Sequence, residues 1–365
     1  MNEILGTLLR IVEFIIALGV LISLHEFGHY LMAKLFHIEV EEFGIGFPPR
    51  LIKLFQLRET TFSLNWIPFG AFVRPKGEND PSVPGGLGAA NPWVRLMVLL
   101  GGPLMNLLTG VVLFSLVFAQ IGAPDMTKVL IVDTSKGSPA EAAGIKANDI
   151  LLKINGITIT STDQLSTLVH DNQGKEITLT LLRDGKTVET RATPRLNPPQ
   201  GQGSLGITMS NPLVKMTWLQ SIPYSVDLTY QQGVQLIKLP GMMIRGQVSP
   251  QEGRFVGPKG IYDIFSAAQS RDQQEATATN QPASPLGLNT LGILATISVA
   301  LGYTNLLPIP ALDGGRILFV LPEILLRRRI PPEYENTINF IGFTALLLLM
   351  IYVTAQDFIN PVVIP

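Results

Sequence analysis

His25-Glu26-Phe27-Gly28-His29 sets two imidazoles four positions apart with a carboxylate between them, a spacing that suits metal chemistry. On an α-helix residues four apart share a face, so both imidazoles can reach one ion while Glu26, about 100° round, stays free to move a proton. The same pattern also arises on soluble helices whose histidines are merely hydrogen-bonded, so the surroundings decide. Here they are apolar from about residue 8 to residue 34, long enough to cross a bilayer, where histidine and glutamate are costly. Lys34 lies about 13 Å along the axis from His25 at 1.5 Å per residue. In a hydrocarbon core of about 30 Å the histidines are therefore well below the surface. The arrangement suits a zinc hydrolase buried in a membrane.

Such a zinc needs a third protein ligand. The chain has 4 histidines and no cysteine. His37 is interfacial and His170 sits in the soluble middle region, so a carboxylate must supply the ligand. Asp313 is the candidate. The run Asn305-Leu-Leu-Pro-Ile-Pro-Ala-Leu-Asp-Gly-Gly-Arg316 ends an apolar stretch with prolines that break a helix and free its carbonyls, which is tolerable at membrane depth only beside protein or a wet cavity. The alternative reading has Asp313 capping a helix that resumes at Gly314.

The elements that must position these residues follow from the apolar pattern. In 365 residues, 46% hydrophobic and 15% charged, with a mean hydropathy of +0.32, the chain is too apolar for an average soluble protein and too charged to be all membrane. Apolar stretches at about 8–34, 93–121, 287–309 and 337–355 predict transmembrane helices, four in all. The first has no small-residue cleavage site and reads as a span, not a signal peptide. Lys34, Arg50, Lys53, Arg58, Arg74, Lys76 and Arg95 cluster between or beside the first two spans, and Arg316 and Arg327–Arg329 between the last two. Positive charge marks the cytoplasmic side, so both loops are expected inside and both termini, with the long middle region, outside. The buried site then opens toward the cytoplasm. A net charge of −1 gives no reason to expect a nucleic acid.

Thr60 to Val73 is aromatic and β-branched and reads as one or two short strands. Residues 76–91, rich in Gly and Pro, read as a flexible connector. From about 128 to 208 the composition is that of a soluble α/β domain. Its expected strands are 129–132, 149–156, 176–182 and 186–193, with helices from Ser138-Pro139 and at about 163–169. Residues 213–247 are amphipathic, ending at Pro240-Gly241, and suit helices lying at the outer interface. Residues 268–284, polar and Ala-rich, read as a disordered linker.

Taken together, His-Glu-Phe-Gly-His at 25–29, Asn-x-x-Pro-x-Pro-x-x-Asp-Gly-Gly at 305–315 and Gly-Pro-x-x-Asn at 102–106 resemble the site-2 protease family of intramembrane zinc metalloproteases, in its bacterial regulator-of-sigma-E-protease branch. The resemblance spans nearly the whole chain. It implies zinc on His25, His29 and Asp313, Glu26 as acid/base residue, and Asn305 near the scissile peptide. Gly28, without a side chain, suits close backbone approach or ordinary small-residue packing, and Asn106 reads mainly as an interhelical hydrogen bond. Val256-Gly-Pro-Lys-Gly-Ile261 matches a family element except at Lys259, where an aliphatic residue is usual.

Ser-Pro-Ala-Glu-Ala-Ala-Gly at 138–144, Asn-Asp-Ile at 148–150, Ile-Asn-Gly at 154–156 and Asp184-Gly185 resemble, in order, a circularly permuted bacterial PDZ domain. Leu205-Gly206-Ile207 resembles its carboxylate-loop strand, which implies that Gly206 and Ile207 touch a bound chain end. A role as a steric plug, with the groove unused, remains equally open.

The implied architecture is a polytopic α-helical membrane protein of four transmembrane helices, with an inserted extracytoplasmic α/β PDZ domain and a membrane-associated β-hairpin on the cytoplasmic side. Its parts are 1–121, 122–210, 211–285 and 286–365. The implied location is the bacterial cytoplasmic (inner) membrane, and the implied substrates are single-span proteins within the lipid bilayer, such as an anti-sigma factor or a signal-peptide remnant. A different class is a catalytically silent scaffold recruiting outer proteins through the PDZ domain. Intact Glu26 argues against it, since a scaffold needs no proton carrier. A metal transporter would want ligand pairs along several helices, and the sequence offers one cluster.

Overall fold

The computed structural model describes residues 2–199, 201–248, 253–279 and 286–361 and divides into two compact units, Met1–Val117 with Ile222–Pro365, and Phe118–Ser221.

The first unit begins with α1, Asn2–Leu35, followed by strands β1, Val40–Leu57, and β2, Thr60–Pro75, and by α2, Pro92–Ile121. Length and apolarity qualify three helical stretches among the described residues to cross a membrane: Ile4–Leu35, Pro92–Ile121 and Pro332–Ile359. Their outward side chains are apolar because lipid replaces a protein core as the solvent.

The strands are far longer than the one or two short strands expected. Gly46 and Gly70, both at positive φ, bend the strands near their middles, so Phe43 lies opposite both Val73 and Phe62, and Gly44 opposite both Phe72 and Ser63. Segment 42–45 is thereby flanked on both sides, while the tip of β1 pairs with the start of β2 from Leu57↔Thr60 to Arg50↔Asn65. Tyr30, Phe43, Phe62 and Val98 join α1, the strands and α2 in one apolar cluster. The tip exposes Leu51, Ile52, Leu54, Phe55 and Leu57.

Residues 76–91 are not the loose connector expected. They form successive turns tied down by Leu87 N–H to Lys76 O (2.9 Å), Arg316 to Glu78 (2.6 Å) and Arg329 to Gly88 O (2.7 Å).

The second unit opens with β3, Ala123–Pro124, and closes with its antiparallel partner β10, Leu213–Val214. Between them lie β4, Val129–Thr134; α3, Pro139–Ala142; β5, Ile150–Ile154; β6, Ile157–Thr158; α4, Thr162–Asp171; β7, Ile177–Arg183; β8, Lys186–Ala192; and β9, Ile207–Ser210. The sheet runs β8-β7-β5-β4-β9, with β6 on β5. Alternating burial along β7 turns Ile177, Leu179 and Leu181 into a core shared with Val129, Ile131, Leu151, Ile154 and Leu165. Ser138 caps α3 by accepting from Glu141 N–H, and Ser161 caps α4 in the same way from Gln164 N–H.

The first unit resumes in α5, Trp218–Ile244, which runs on through Pro240 where the sequence suggested an end. Next comes α6, Pro258–Ala278, so residues 268–278 are helix and not disordered linker; 280–285 lie outside the described residues. Lys259, the departure from the family pattern, pairs with Asp263 one turn on (2.5 Å). Polar contacts hold α6: Gln269 donates to Glu13 (2.8 Å), and Asp357 accepts from the N–H groups of Gly257 and Gly260 (2.8 and 3.0 Å).

The chain ends in α7, Leu288–Leu306; α8, Asp313–Leu326; and α9, Pro332–Ile359. The expected span at 287–309 falls on α7. Its buried face carries Thr290, Ser298 and Gly302 among apolar residues. Asp272 of α6 accepts from the N–H groups of Asn289 and Thr290 (both 2.9 Å), supplying the start of α7 with a carboxylate cap.

Candidate metal centre

His25 and His29 lie one turn apart on α1, both buried, with their Nε2 atoms 3.2 Å from each other. Asp313 is the first residue of α8. Its Oδ2 lies 3.1 Å from His25 Nε2 and 3.4 Å from His29 Nε2. Among the described residues this is the group of His, Asp and Glu side chains close enough to hold an ion.

The turn between α7 and α8 makes that meeting possible. Pro308 and Pro310 stop α7, and the chain turns through Leu307 N–H to Thr304 O and Leu312 N–H to Ile309 O (3.0 and 3.2 Å). Ala311 sits at φ +76°, and its N–H donates to Asn339 Oδ1 of α9 (3.1 Å). Asp313 thus starts the helix and faces the histidines, but it does not cap it: the N-cap position is Leu312, and no side chain caps the helix there.

The three donor atoms fit zinc. A tetrahedral ion with bonds of about 2.0–2.2 Å spaces its ligand atoms about 3.3–3.6 Å apart, close to the triangle seen here. Asp313 Oδ2 is buried yet has no hydrogen bond of proper geometry, as expected of a lone pair turned toward a cation. Space is reserved as well, because a Cβ on Gly102 would meet the Nε2 atoms of both histidines.

Helix α2 fixes the rings. His29 Nδ1 lies 2.7 Å from the Val98 carbonyl, so its Nδ1–H donates there and Nε2 is left with its lone pair. The side chain of Asn106, 1% exposed, reaches His25 Nδ1 at 3.1 Å. The crossing is close because Gly28 of α1 and Gly101 of α2 each lie against the other's carbonyl oxygen, and a Cβ on either would collide with it. The packing role expected of Gly28 is what its surroundings show.

Glu26 and Asn305 line the same cavity of about 330 Å³ as His25, His29 and Asp313, together with Phe72, Val73 and Arg316. Glu26 Oε2 accepts from the Val73 N–H (3.1 Å), which ties the carboxylate to the outer segment of β2. Asn305 Nδ2 donates one turn back to Leu301 O (3.0 Å).

Gly206 and Ile207 belong to the other unit. Gly206 is at φ +71°, its carbonyl accepts from Ser135 N–H (2.8 Å), and its own N–H donates to Gly203 O (3.0 Å). One of the N–H groups expected to receive a carboxylate is therefore already engaged. Ile207 begins β9, an edge strand paired with β4 through Thr134.

Sequence reasoning missed Val98, Asn339 and Gly102 as parts of the site and gave Asn106 a merely adhesive role. Of these, only Gly102 and Asn106 carried a signal, as ends of the Gly-Pro-x-x-Asn run.

The sequence profile of Peptidase family M50 matches residues 13–349. A putative zinc metalloprotease of Clostridium acetobutylicum is 31% identical over 356 residues, covering 97% of this chain and 98% of the relative. The zinc metalloprotease RasP of Oceanobacillus iheyensis is 27% identical over 437 residues, covering 95% of this chain and 98% of the relative. The regulator of sigma-W protease RasP of Bacillus subtilis is 27% identical over 429 residues, covering 95% and 97%.

Proposed function

Because the chain belongs to peptidase family M50 and is an intramembrane zinc metalloprotease, we propose that it binds its zinc through His25, His29 and Asp313 and cuts single-span membrane proteins within their transmembrane segments. The convergence of those three donors beside a helix long and apolar enough to cross a bilayer carries this reading.

Zinc supplies the Lewis acidity that polarises a peptide carbonyl and acidifies a water. Glu26 takes the proton of that water and passes it to the leaving amine. Its contact with Val73 keeps the carboxylate beside the outer segment of β2. A peptide bond inside a helix is shielded from attack, so the substrate must be drawn out, and an extended stretch can add to that strand edge. Asn305 holds the substrate strand near the cavity. Ile207, at the start of the edge strand β9 of a PDZ-type domain, receives a chain end beside Gly206, whose own N–H is engaged with Gly203 O.

Three helices are long and apolar enough to cross a membrane, and α7, the counterpart of the expected span at 287–309, serves as a fourth. The lysine and arginine distribution supports an orientation with residues 36–91 in the cytoplasm and 122–285 outside. The tip of β1, apolar and flanked by Arg50, Lys53 and Arg58, suits the inner membrane surface. Among single-span substrates an anti-sigma factor is favoured, in keeping with a relative named for regulating sigma-W. A signal-peptide remnant is the second candidate.

The test is cleavage of a panel of single-span peptides by the purified full chain, with chelator and with zinc restored. Metal-dependent cuts inside the apolar segment are expected. Cuts confined to soluble flanks would overturn the reading. With 0 cysteines in the natural chain, Lys53→Cys and Ser166→Cys report orientation by labelling of intact cells with an impermeant thiol reagent, and only the second should react.

A further inference from the structure

We infer that Asn106 is the positioning residue that selects the zinc-binding tautomer of His25, its side-chain carbonyl accepting the imidazole Nδ1–H. This rests on the proposal that His25 is a zinc ligand. His25 Nε2 faces His29 Nε2 at 3.2 Å and Asp313 Oδ2 at 3.1 Å, so Nε2 is the atom that meets the ion and must carry a lone pair. A neutral imidazole with a free Nε2 bears its proton on Nδ1, and a buried N–H needs an acceptor.

Asn106 is the group in reach, with a side-chain amide atom 3.1 Å from Nδ1. Which end of an amide is oxygen is decided by the hydrogen bonds it makes. The nitrogen end toward His25 would set two donors against each other when zinc is bound, and it leaves Oδ1 buried without a partner. The opposite orientation turns Oδ1 onto Nδ1–H, which removes the clash of donors at His25 and gives Oδ1 its partner, with Nδ2 taking the position Oδ1 leaves. It also makes the two histidines alike: His29 Nδ1–H is received by the carbonyl of Val98, and His25 Nδ1–H by the carbonyl of Asn106's side chain, both on α2.

The amide is itself held in place. Asn106 is 1% exposed, and its backbone carbonyl accepts from Ser298 Oγ of α7 at 2.8 Å. Helix α7 leads directly into the turn that delivers Asp313. One residue of α2 thereby connects the helix bearing the histidines to the helix that leads to the third ligand. Partners of this kind fix ring orientation, and losing one weakens metal binding by about 10- to 100-fold.

The test compares Asn106→Leu, which keeps the volume and loses the acceptor, with Asn106→Asp, which keeps an acceptor, in the full chain in detergent. Zinc affinity is read by competition with a chromogenic chelator, and the metal-free melting temperature checks folding. The expectation is about 10- to 100-fold weaker zinc for Asn106→Leu, with Asn106→Asp restoring most of the loss. Equal affinity in Asn106→Leu and wild type, or equal damage in both variants, would overturn the assignment.

A measurement on the wild type decides the matter should Asn106→Leu not fold. In ¹⁵N-histidine spectra of the zinc-loaded chain, His25 must show metal on Nε2 and a slowly exchanging proton on Nδ1. Metal on Nδ1, or a freely exchanging proton, would leave His25 a ligand and remove Asn106 from its role. If zinc shifts neither nitrogen of His25, the ligand assignment itself has failed and the inference falls with it.

Discussion

Asp149 is a buried carboxylate and Asp313, in the other unit, a half-buried one whose Oδ2 is itself buried, and their oxygens are partnered in opposite ways. Asp149, 1% exposed, receives Arg183 Nε at 2.7 Å on one oxygen and Arg183 Nη2 at 2.6 Å and Lys146 N–H at 2.8 Å on the other. Asp313 Oδ2 faces two imidazole nitrogens and has no proper donor. A fully partnered buried charge has nothing left to offer a ligand and holds its loop in place. A buried carboxylate with an unpartnered oxygen is costly unless something else arrives, so the incomplete set marks the binding site. The same contrast runs through the two units. The inserted one hides an apolar core, whereas α9 shows Phe340, Ile341, Phe343 and Leu348 outward, and His25, His29, Asn106 and Ser298 of the first unit are buried.

The sharpest way to break the comparison is to remove each carboxylate in turn. Asp313→Ala should abolish both stoichiometric zinc, measured by elemental analysis, and cleavage, while hydrogen exchange in residues 129–192 stays unchanged. Retained zinc with normal turnover would remove Asp313 from the metal site. Glu26→Gln separates holding the ion from moving the proton. Zinc should stay, and turnover should fall by about 10²-fold or more. Gly102→Ala is milder. Its methyl would intrude on both Nε2 atoms, so zinc affinity should drop by about 10-fold or more while the chain still inserts in membranes.

Where the sequence could be read and where it could not follows the range of the interactions. His25, Glu26, His29 and Asp313 stood out because ionisable groups are rare in apolar stretches, and α3, α4 and the β7–β8 hairpin because Ser138, Ser161 and Asp184-Gly185 act within a few residues. The doubling back of β1 and β2 depends on which distant segments pair and has no local sign beyond Gly46 and Gly70. The later part of α6, from residue 268, looked like a polar linker because its partners lie elsewhere in the chain: Gln269 donates to Glu13, and Asp272 closes the start of α7. The loop at 76–91 is ordered by Arg316 and Arg329, more than two hundred residues away. The contact between Asn106 and His25 spans two helices in the same way.

The smallest expected effect lies on the Asp149 side. Burial alone would raise its pKa, but the Arg183 hydrogen bonds, the Lys146 N–H and the charges of both side chains outweigh it and hold the group below the ordinary aspartate value. A carboxyl whose folded pKa is depressed binds its proton more readily in the unfolded chain. Its contribution to stability is therefore complete above the unfolded value of about 3.9 and is lost as pH falls through the lower, folded value. Hydrogen bonds to a charged group of this kind contribute about 1.5–3 kcal/mol. Native-state hydrogen exchange of the core amides of Ile177, Leu179 and Leu181 in the full chain should show opening free energy steady from neutral pH to about 5 and declining below about 4. Asp149→Asn should lower that free energy at neutral pH and flatten the decline, while zinc binding at neutral pH stays as in the wild type. If the decline persists unaltered in Asp149→Asn, other acids set the acid lability of the inserted unit, and the completeness of the Asp149 pairing has no measurable consequence there.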